Sequence, residues 1–429
     1  MNMWEAQNKR RPGAYVNFNA EPKKRPLIET EGIPAVMLAK KVWGKAGFIM
    51  VDLDTDFIKV FGQPLDTIVP VREALKVSKR VLVYLPETDG AAQATVTDGG
   101  LTVKAKHAGT VGNGLAVVVT KTTDGSVIYK TVLNNKVVDE QKVAAATLPE
   151  GNGYVVFEGA GLDANKTLTL AGGVDGTVKQ SAVQDYLNGL DTQVFNVVAV
   201  GTDNESVKDL TLAKIKEWRS FGRGVVAVVN NFAKANHEAV ISVANGLTLK
   251  DGTKLTPAEA TAYVAAASAN AGVGSLTYHV VDGAVDCERK THNETVDLLD
   301  AGNVVFTYRK GKVVIEQDIN TLTNLADNQS AEFSKNKAVR VMDIISTRLQ
   351  DVFADSFIGK FVNDENGREV FKQQVILLVL DPLVQLRALT YNAEELTVVE
   401  GATKEAILVD LGVRLTDAFE KLYMTVTVQ

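Results

Sequence analysis

Apolar and polar residues alternate strictly near both ends of the chain. Val16, Phe18 and Ala20 fall on one side and Tyr15, Asn17 and Asn19 on the other. At the C-terminus Leu422, Met424, Val426 and Val428 oppose Tyr423, Thr425, Thr427 and Gln429. A period of two is that of a β-strand with one apolar face. Behind the first strand, Glu21-Pro22-Lys23-Lys24-Arg25-Pro26 combines two prolines with four charges, which suits a semi-extended, solvated connector.

The body between these strands changes character along its length. Apolar runs at 35–39, 47–51 and 57–61 read as strands, and Arg80 to Leu85 as another. Ile68, Val71, Leu75 and Val77 mark the buried side of a helix expected near 67–78. From 91 to 173 helical periodicity gives way to short strands at 95–97, 101–105, 115–120, 127–132, 137–143, 154–157 and 168–171, separated by Gly- and Asp-rich turns. Such spacing predicts an inserted all-β sandwich or barrel. Past it, a helix near 180–190, a strand at 194–200, a helix at 204–219 and a strand at 224–229 form a unit whose strands are nearly all apolar, as parallel strands buried on both faces are. A strand at 239–243, a Thr256-Pro257 capped helix to about 270, and strands at 303–308 and 312–316 extend this region.

Ala338, Val341, Met342, Ile345, Leu349, Val352 and Phe353 make a continuous stripe on one long helix spanning 335–358. A second helix starts near Arg368 and is expected to bend or stop at Pro382, with strands at 396–399 and 406–411 beyond it. The fold class is therefore α/β (α+β) and multidomain. It comprises an N-terminal arm and linker (1–26), the first part of a mixed-sheet core (27–90), an inserted β-sandwich (91–173), a main α/β domain (174–333), a C-terminal α/β domain (334–419) and a C-terminal arm strand (420–429).

Composition removes several functions. The chain has 429 residues, 45% hydrophobic and 23% charged, as a folded globular protein of two to three domains does. A net charge of -6, with no run of cations longer than the three of Lys9-Arg10-Arg11 and of Lys23-Lys24-Arg25, leaves no electrostatic footprint for nucleic acid. The single cysteine, Cys287, excludes an internal disulfide and fits synthesis in the cytoplasm. The longest apolar run, Val375 to Leu380, is too short to span a bilayer, and the N-terminus has no signal-peptide pattern, so stable membrane insertion is not expected.

No motif for catalysis survives inspection. Gly44-Lys45, Gly311-Lys312 and Gly359-Lys360 all lack the flanking residues of a phosphate-binding loop. The glycines between Gly109 and Gly114 lie between two strands, a turn context and not a dinucleotide site. Asp52, Asp54 and Asp56 start like a calcium loop, but Phe57 stands at the glycine position and Gln63 at the bidentate carboxylate position. His279, Asp282, Asp286, Cys287, Glu288 and His292 are the only cluster of ligand types and lack paired metal spacing. No catalytic, cofactor or metal site is expected. The alternative is an α/β enzyme with its site at the strand ends around Gly201 and Asn230–Asn231.

A strand cannot satisfy its backbone alone, so each terminal strand pairs within its own subunit or with another copy, and the pattern weighs both equally. Reach permits the second. A compact fold of this length has a radius of gyration of about 22 Å, whereas residues 1–26 extended cover about 85 Å.

Four stretches carry a resemblance: Arg11-Pro-Gly-Ala-Tyr-Val-Asn-Phe18, Ala105-Lys-His-Ala-Gly-Thr-Val-Gly-Asn-Gly-Leu115, Leu170-Ala-Gly-Gly-Val-Asp-Gly176 and Asp417-Ala-Phe-Glu-Lys-Leu-Tyr-Met-Thr-Val426. In this order they make the chain similar to contractile tail sheath proteins of myophages and of R-type, phage-tail-like bacteriocins, over nearly its whole length. The resemblance implies a structural subunit, not an enzyme, that forms hexameric rings stacked helically around an inner tail tube protein. It implies baseplate and tail terminator proteins as further partners, no cofactor and no nucleic acid, and release by lysis within a phage tail or tail-like particle. Terminal strands would be exchanged between subunits through Tyr15, Val16, Asn17 and Phe18 and through Leu422, Tyr423, Met424, Thr425, Val426 and Val428. Contraction would drive the tube through a target envelope without nucleotide hydrolysis. A non-contractile shell or adhesin protein is the further alternative. The polar side of the 335–358 helix, with Lys337, Arg340 and Arg348, is a candidate grip on an acidic tube; ordinary core packing is the competing reading.

Overall fold

The computed structural model describes residues 31–327 and 329–427. Its centre is a seven-stranded sheet in the spatial order Asn303–Val304, Val240–Val243, Val226–Asn230, Val197–Val200, Pro34–Met37, Val81–Leu85, Gly47–Val51. All neighbours are parallel except the last pair, which is antiparallel. The four strands Val81–Leu85, Val197–Val200, Val226–Asn230 and Val240–Val243 are buried at every position. Both faces are therefore covered, which is why these strands read as unbroken apolar runs. Helix Pro257–Asn270 packs on this sheet. Thr256 and Glu259 cap it reciprocally, and its alanine-rich body is buried nearly all round.

Residues 95–169 form two antiparallel sheets, one of three strands and one of four, around a core of their own that includes Leu101, Val103, Leu115, Val117, Tyr129 and Phe157. The strict burial alternation along Leu101–Ala105 and Ser126–Leu133 is the period-two signal seen in the sequence. Gly109, at φ 136°, sits where the turn presses on the preceding segment; a Cβ there would lie 1.9 Å from Val42 O.

The C-terminal part has its own apolar cluster, in which helix Asn336–Ser356 packs with the helical run from Glu365 to Gln385 and the hairpin Leu389–Glu400/Ile407–Leu415. Of the expected stripe on the long helix, Val341, Ile345, Leu349, Val352 and Phe353 enter this cluster.

Three local expectations are corrected. Residues 57–61 are a helix, not a strand: Asp56 caps Lys59 N, Gly62 closes it in the left-handed region, and Phe57 stacks on Phe61 one turn on. The second helix starts at Glu365, and of the bend or stop expected at Pro382 it does not stop there: it changes form just before the proline and continues to Gln385. A wide turn, Ile376–Leu380, precedes the proline, and Leu378 O, which Pro382 has no N–H to meet, accepts Arg348 Nη1 at 3.3 Å. The two final strands are also longer than expected and interrupted by a bulge between Tyr391 and Leu396.

Candidate subunit interface

Helix Asn336–Ser356 separates two environments. Val341, Ile345 and Val352 face the C-terminal cluster. Arg340, Asp343 and Gln350 recur at helical spacing on the other side and meet the central sheet's surroundings. Arg340, only 9% exposed, pairs with Asp318 at 2.6 Å and donates to Gly274 O at 2.7 Å and Gly272 O at 3.3 Å. Asp318 is filled by further donors, Leu276 N at 2.9 Å and Asn336 Nδ2 at 2.9 Å. Asp343 takes a two-pronged contact from Arg219 at 2.9 and 3.0 Å; burial pushes its carboxyl pKa up while Arg219 opposes that shift. Gln350 donates to Gly222 O at 2.9 Å. The polar side of this helix therefore binds the chain's own body. Of the candidate tube contacts, Arg340 is buried in that seam and Arg348 serves the Leu378 carbonyl. Only the half-buried Lys337 lies outside these roles.

Among the described residues the C-terminal hairpin is a separate two-stranded sheet with no further strand paired at either edge. Leu389 and Leu396 enter the core, while Val399 and Leu408 are exposed. Behind it the chain is pinned before it leaves the body. Thr416 N donates to Ala388 O at 3.0 Å, and Lys335 pairs with Asp417. Glu420 accepts from Thr277 Oγ1 at 3.1 Å and Gln317 Nε2 at 3.2 Å. Burial pushes the Asp417 carboxyl up, but the Lys335 hydrogen bond, the Ala418 N–H and the charges of Lys335 and Lys337 together outweigh it and hold the pKa below its ordinary value. No sequence signal marks this clasp, because its partners lie far apart in the chain.

Beyond the clasp the tail runs free. Residues 421–427 form no strand, and their backbone makes no hydrogen bond to a described residue. Leu422, Tyr423, Met424 and Val426 are 70% to 88% exposed. Over the described residues 420–427 the alternation expected at 420–429 is thus present in sequence without being a strand in the single chain. Tyr15, Val16, Asn17, Phe18 and Val428 lie outside the described residues.

The competing sites do not assemble. At the strand ends Asn230 is buried and spans to Thr202 N at 2.8 Å and Asp203 Oδ1 at 3.0 Å, and Gly201 stands against Ala258 O with no room for a Cβ. Asn230, at the strand ends of the enzyme alternative, is thus committed to its own chain. Asp52 accepts from Asp54 N and Thr55 Oγ1 in a local turn. In the 279–292 segment Asp286 pairs with Arg289 and Glu288 with Lys290, while burial pushes the Cys287 thiol up to about 11. Among the described residues no three such side chains converge as a metal would require.

Residues 176–321 match the phage tail sheath protein central domain, and residues 328–429 match the phage tail sheath C-terminal domain. The phage-like element PBSX protein XkdK of Bacillus subtilis is 31% identical over 98% of this chain and 98% of its own length. The crystal structure of a sheath tail protein from Desulfitobacterium hafniense superposes with a TM-score of 0.84 at 32% identity, covering 95% of this chain and 98% of that one. The helical sheath of the anti-feeding prophage in its contracted state shares the fold, with a TM-score of 0.58 at 12% identity over 97% and 98% of the two chains. On these matches, which run from end to end, the chain belongs to the phage tail sheath protein family and is a structural subunit of a phage tail.

Proposed function

We propose that this subunit polymerises as stacked hexameric rings around an inner tube by lending its terminal strands to neighbouring copies, and that the polymer contracts without nucleotide hydrolysis to drive the tube through a target envelope. One observation carries the reading: an alternating apolar tail that leaves a pinned root and stands exposed. The hairpin at 389–415 is the natural acceptor, since main-chain pairing at an edge fixes register while alternate side chains find cover. Residues 11–20, led by Val16 and Phe18, play the same part at the other end.

Magnitudes explain why the tail is unpaired alone and paired in a polymer. Burying Leu422, Met424 and Val426 yields about 5–8 kcal/mol. Ordering six residues costs about 1–2 kcal/mol each, so a single exchange is marginal and many simultaneous exchanges are strong. Rigid-body rotation of subunits, with the connector at 21–26 keeping them linked, would allow contraction. The fold shared with a contracted sheath supports this reading. Baseplate and terminator proteins at the polymer ends complete it, and Lys337 is kept as the candidate tube contact. Removing residues 1–20 or 421–429 should leave a folded, soluble subunit that forms no sheath by negative-stain microscopy. Normal sheaths from either truncation would overturn strand exchange.

A further inference from the structure

The hairpin Phe306–Arg309/Lys312–Ile315 ends in the run Arg309-Lys310-Gly311-Lys312, three cations in four residues, all exposed. The arginine of this run and the adjacent Arg289 are committed internally. Arg309 lies 4.4 Å over the ring of Tyr278 and reaches Glu316 at 3.3 Å. Arg289 lies 4.4 Å over Tyr308 and pairs with Asp286 at 3.0 Å. These contacts tie the base of the tip to the body of the chain. Tyr278 is itself held at φ 58°, a region a bulky residue seldom occupies. Lys310 and Lys312 pair with no described carboxylate. The tip is thus a positive point on a chain of net charge -6.

Its position gives the partner. Tyr278 directly follows Thr277, the residue that holds Glu420 at the root of the exposed tail. With Arg309 over the Tyr278 ring, the tip and the tail root lie side by side on the subunit surface. The hairpin segment 389–415 carries five carboxylates, Glu394, Glu395, Glu400, Glu405 and Asp410, against Lys404 and Arg414. Arg414 is spent on Glu395 at 2.7 Å. Glu400 and Glu405 flank the hairpin's own turn and are exposed. We propose that Lys310 and Lys312 dock on the acidic turn of the hairpin, at Glu400 and Glu405, of a second copy of this chain, the copy that receives the tail. This rests on the strand-exchange reading and adds an electrostatic latch that sets which neighbour is engaged and how fast.

The test is the critical concentration for sheath assembly of the full-length chain across ionic strength, with circular dichroism as the folding control. The K310E/K312E variant should remain folded and need about tenfold more protein to assemble at low salt, equivalent to about 1.4 kcal/mol, with the gap closing at high salt. Adding E400K/E405K to the same chain restores the charge match and should restore assembly. Unchanged assembly of K310E/K312E at low salt, or no recovery in the four-fold variant, overturns the latch. Neither outcome touches strand exchange, which is tested separately by the 421–429 truncation at any salt.

Discussion

Arg340 offers the sharpest test of how the long helix is held. Its guanidinium satisfies Asp318 and the carbonyls of Gly272 and Gly274 in a seam where the Asp318 side chain is 3% exposed. Replacing Arg340 by Ala leaves a buried carboxylate without its counter-charge and two carbonyls without a donor. Breaking a buried pair in this way costs about 3–5 kcal/mol. Hydrogen exchange reads that loss locally, since protection reports the free energy of opening. Amides of helix Asn336–Ser356 should exchange roughly 10² to 10³ times faster in R340A, while those of Leu115–Lys121 in the sandwich keep their protection. The cycle with Asp318→Asn should give a coupling above about 1 kcal/mol, because the two groups share one network. Protection in R340A within twofold of wild type would refute the seam and return Arg340 to the list of surface cations.

Two further outcomes follow from the same geometry. Gly109→Ala places a Cβ against Val42 O at a φ of 136°, so it should lower stability by about 1–3 kcal/mol, read as an earlier urea transition of the sandwich. The tail root should be docked across a wide pH window. Asp417 titrates below its ordinary 3.8, so its contribution is present above that value and lost as pH falls through the lowered pKa. For Lys335, burial pulls the pKa down but the Asp417 hydrogen bond and nearby acids prevail and raise it above 10.5, so that contribution is present below 10.5 and lost as pH rises through the raised value. Proteolytic cleavage near residue 420 should accelerate only outside these limits, and a cleavage rate that stays unchanged as pH falls until Asp417 is protonated, followed by its carboxyl NMR titration, would contradict the clasp.

What the sequence determined by itself is whatever depends on short-range periodicity. The period-two strands of the sandwich, the buried valine runs of the parallel sheet, the Thr256-Pro257 cap and the stripe from Ala338 to Phe353 were all legible, because each is a repeat whose partner face is simply the nearest apolar surface. Where two local signals compete the reading failed: Phe57 to Phe61 is short and apolar, and its cap and Phe–Phe spacing outweigh strand propensity. Pairings between distant residues were decided only by tertiary structure. An arginine on the polar side of a helix looks solvated until Asp318 and two glycine carbonyls are brought to it. Arg348 looks like a surface charge until the proline at 382 leaves Leu378 O needing a donor. Local pattern sets which face of an element is polar, but whether that face meets water or another part of the chain depends on long-range packing, which no single stretch encodes. The terminal tail is the reverse case: its strand pattern was plain in the sequence, and the fold of one chain leaves it exposed.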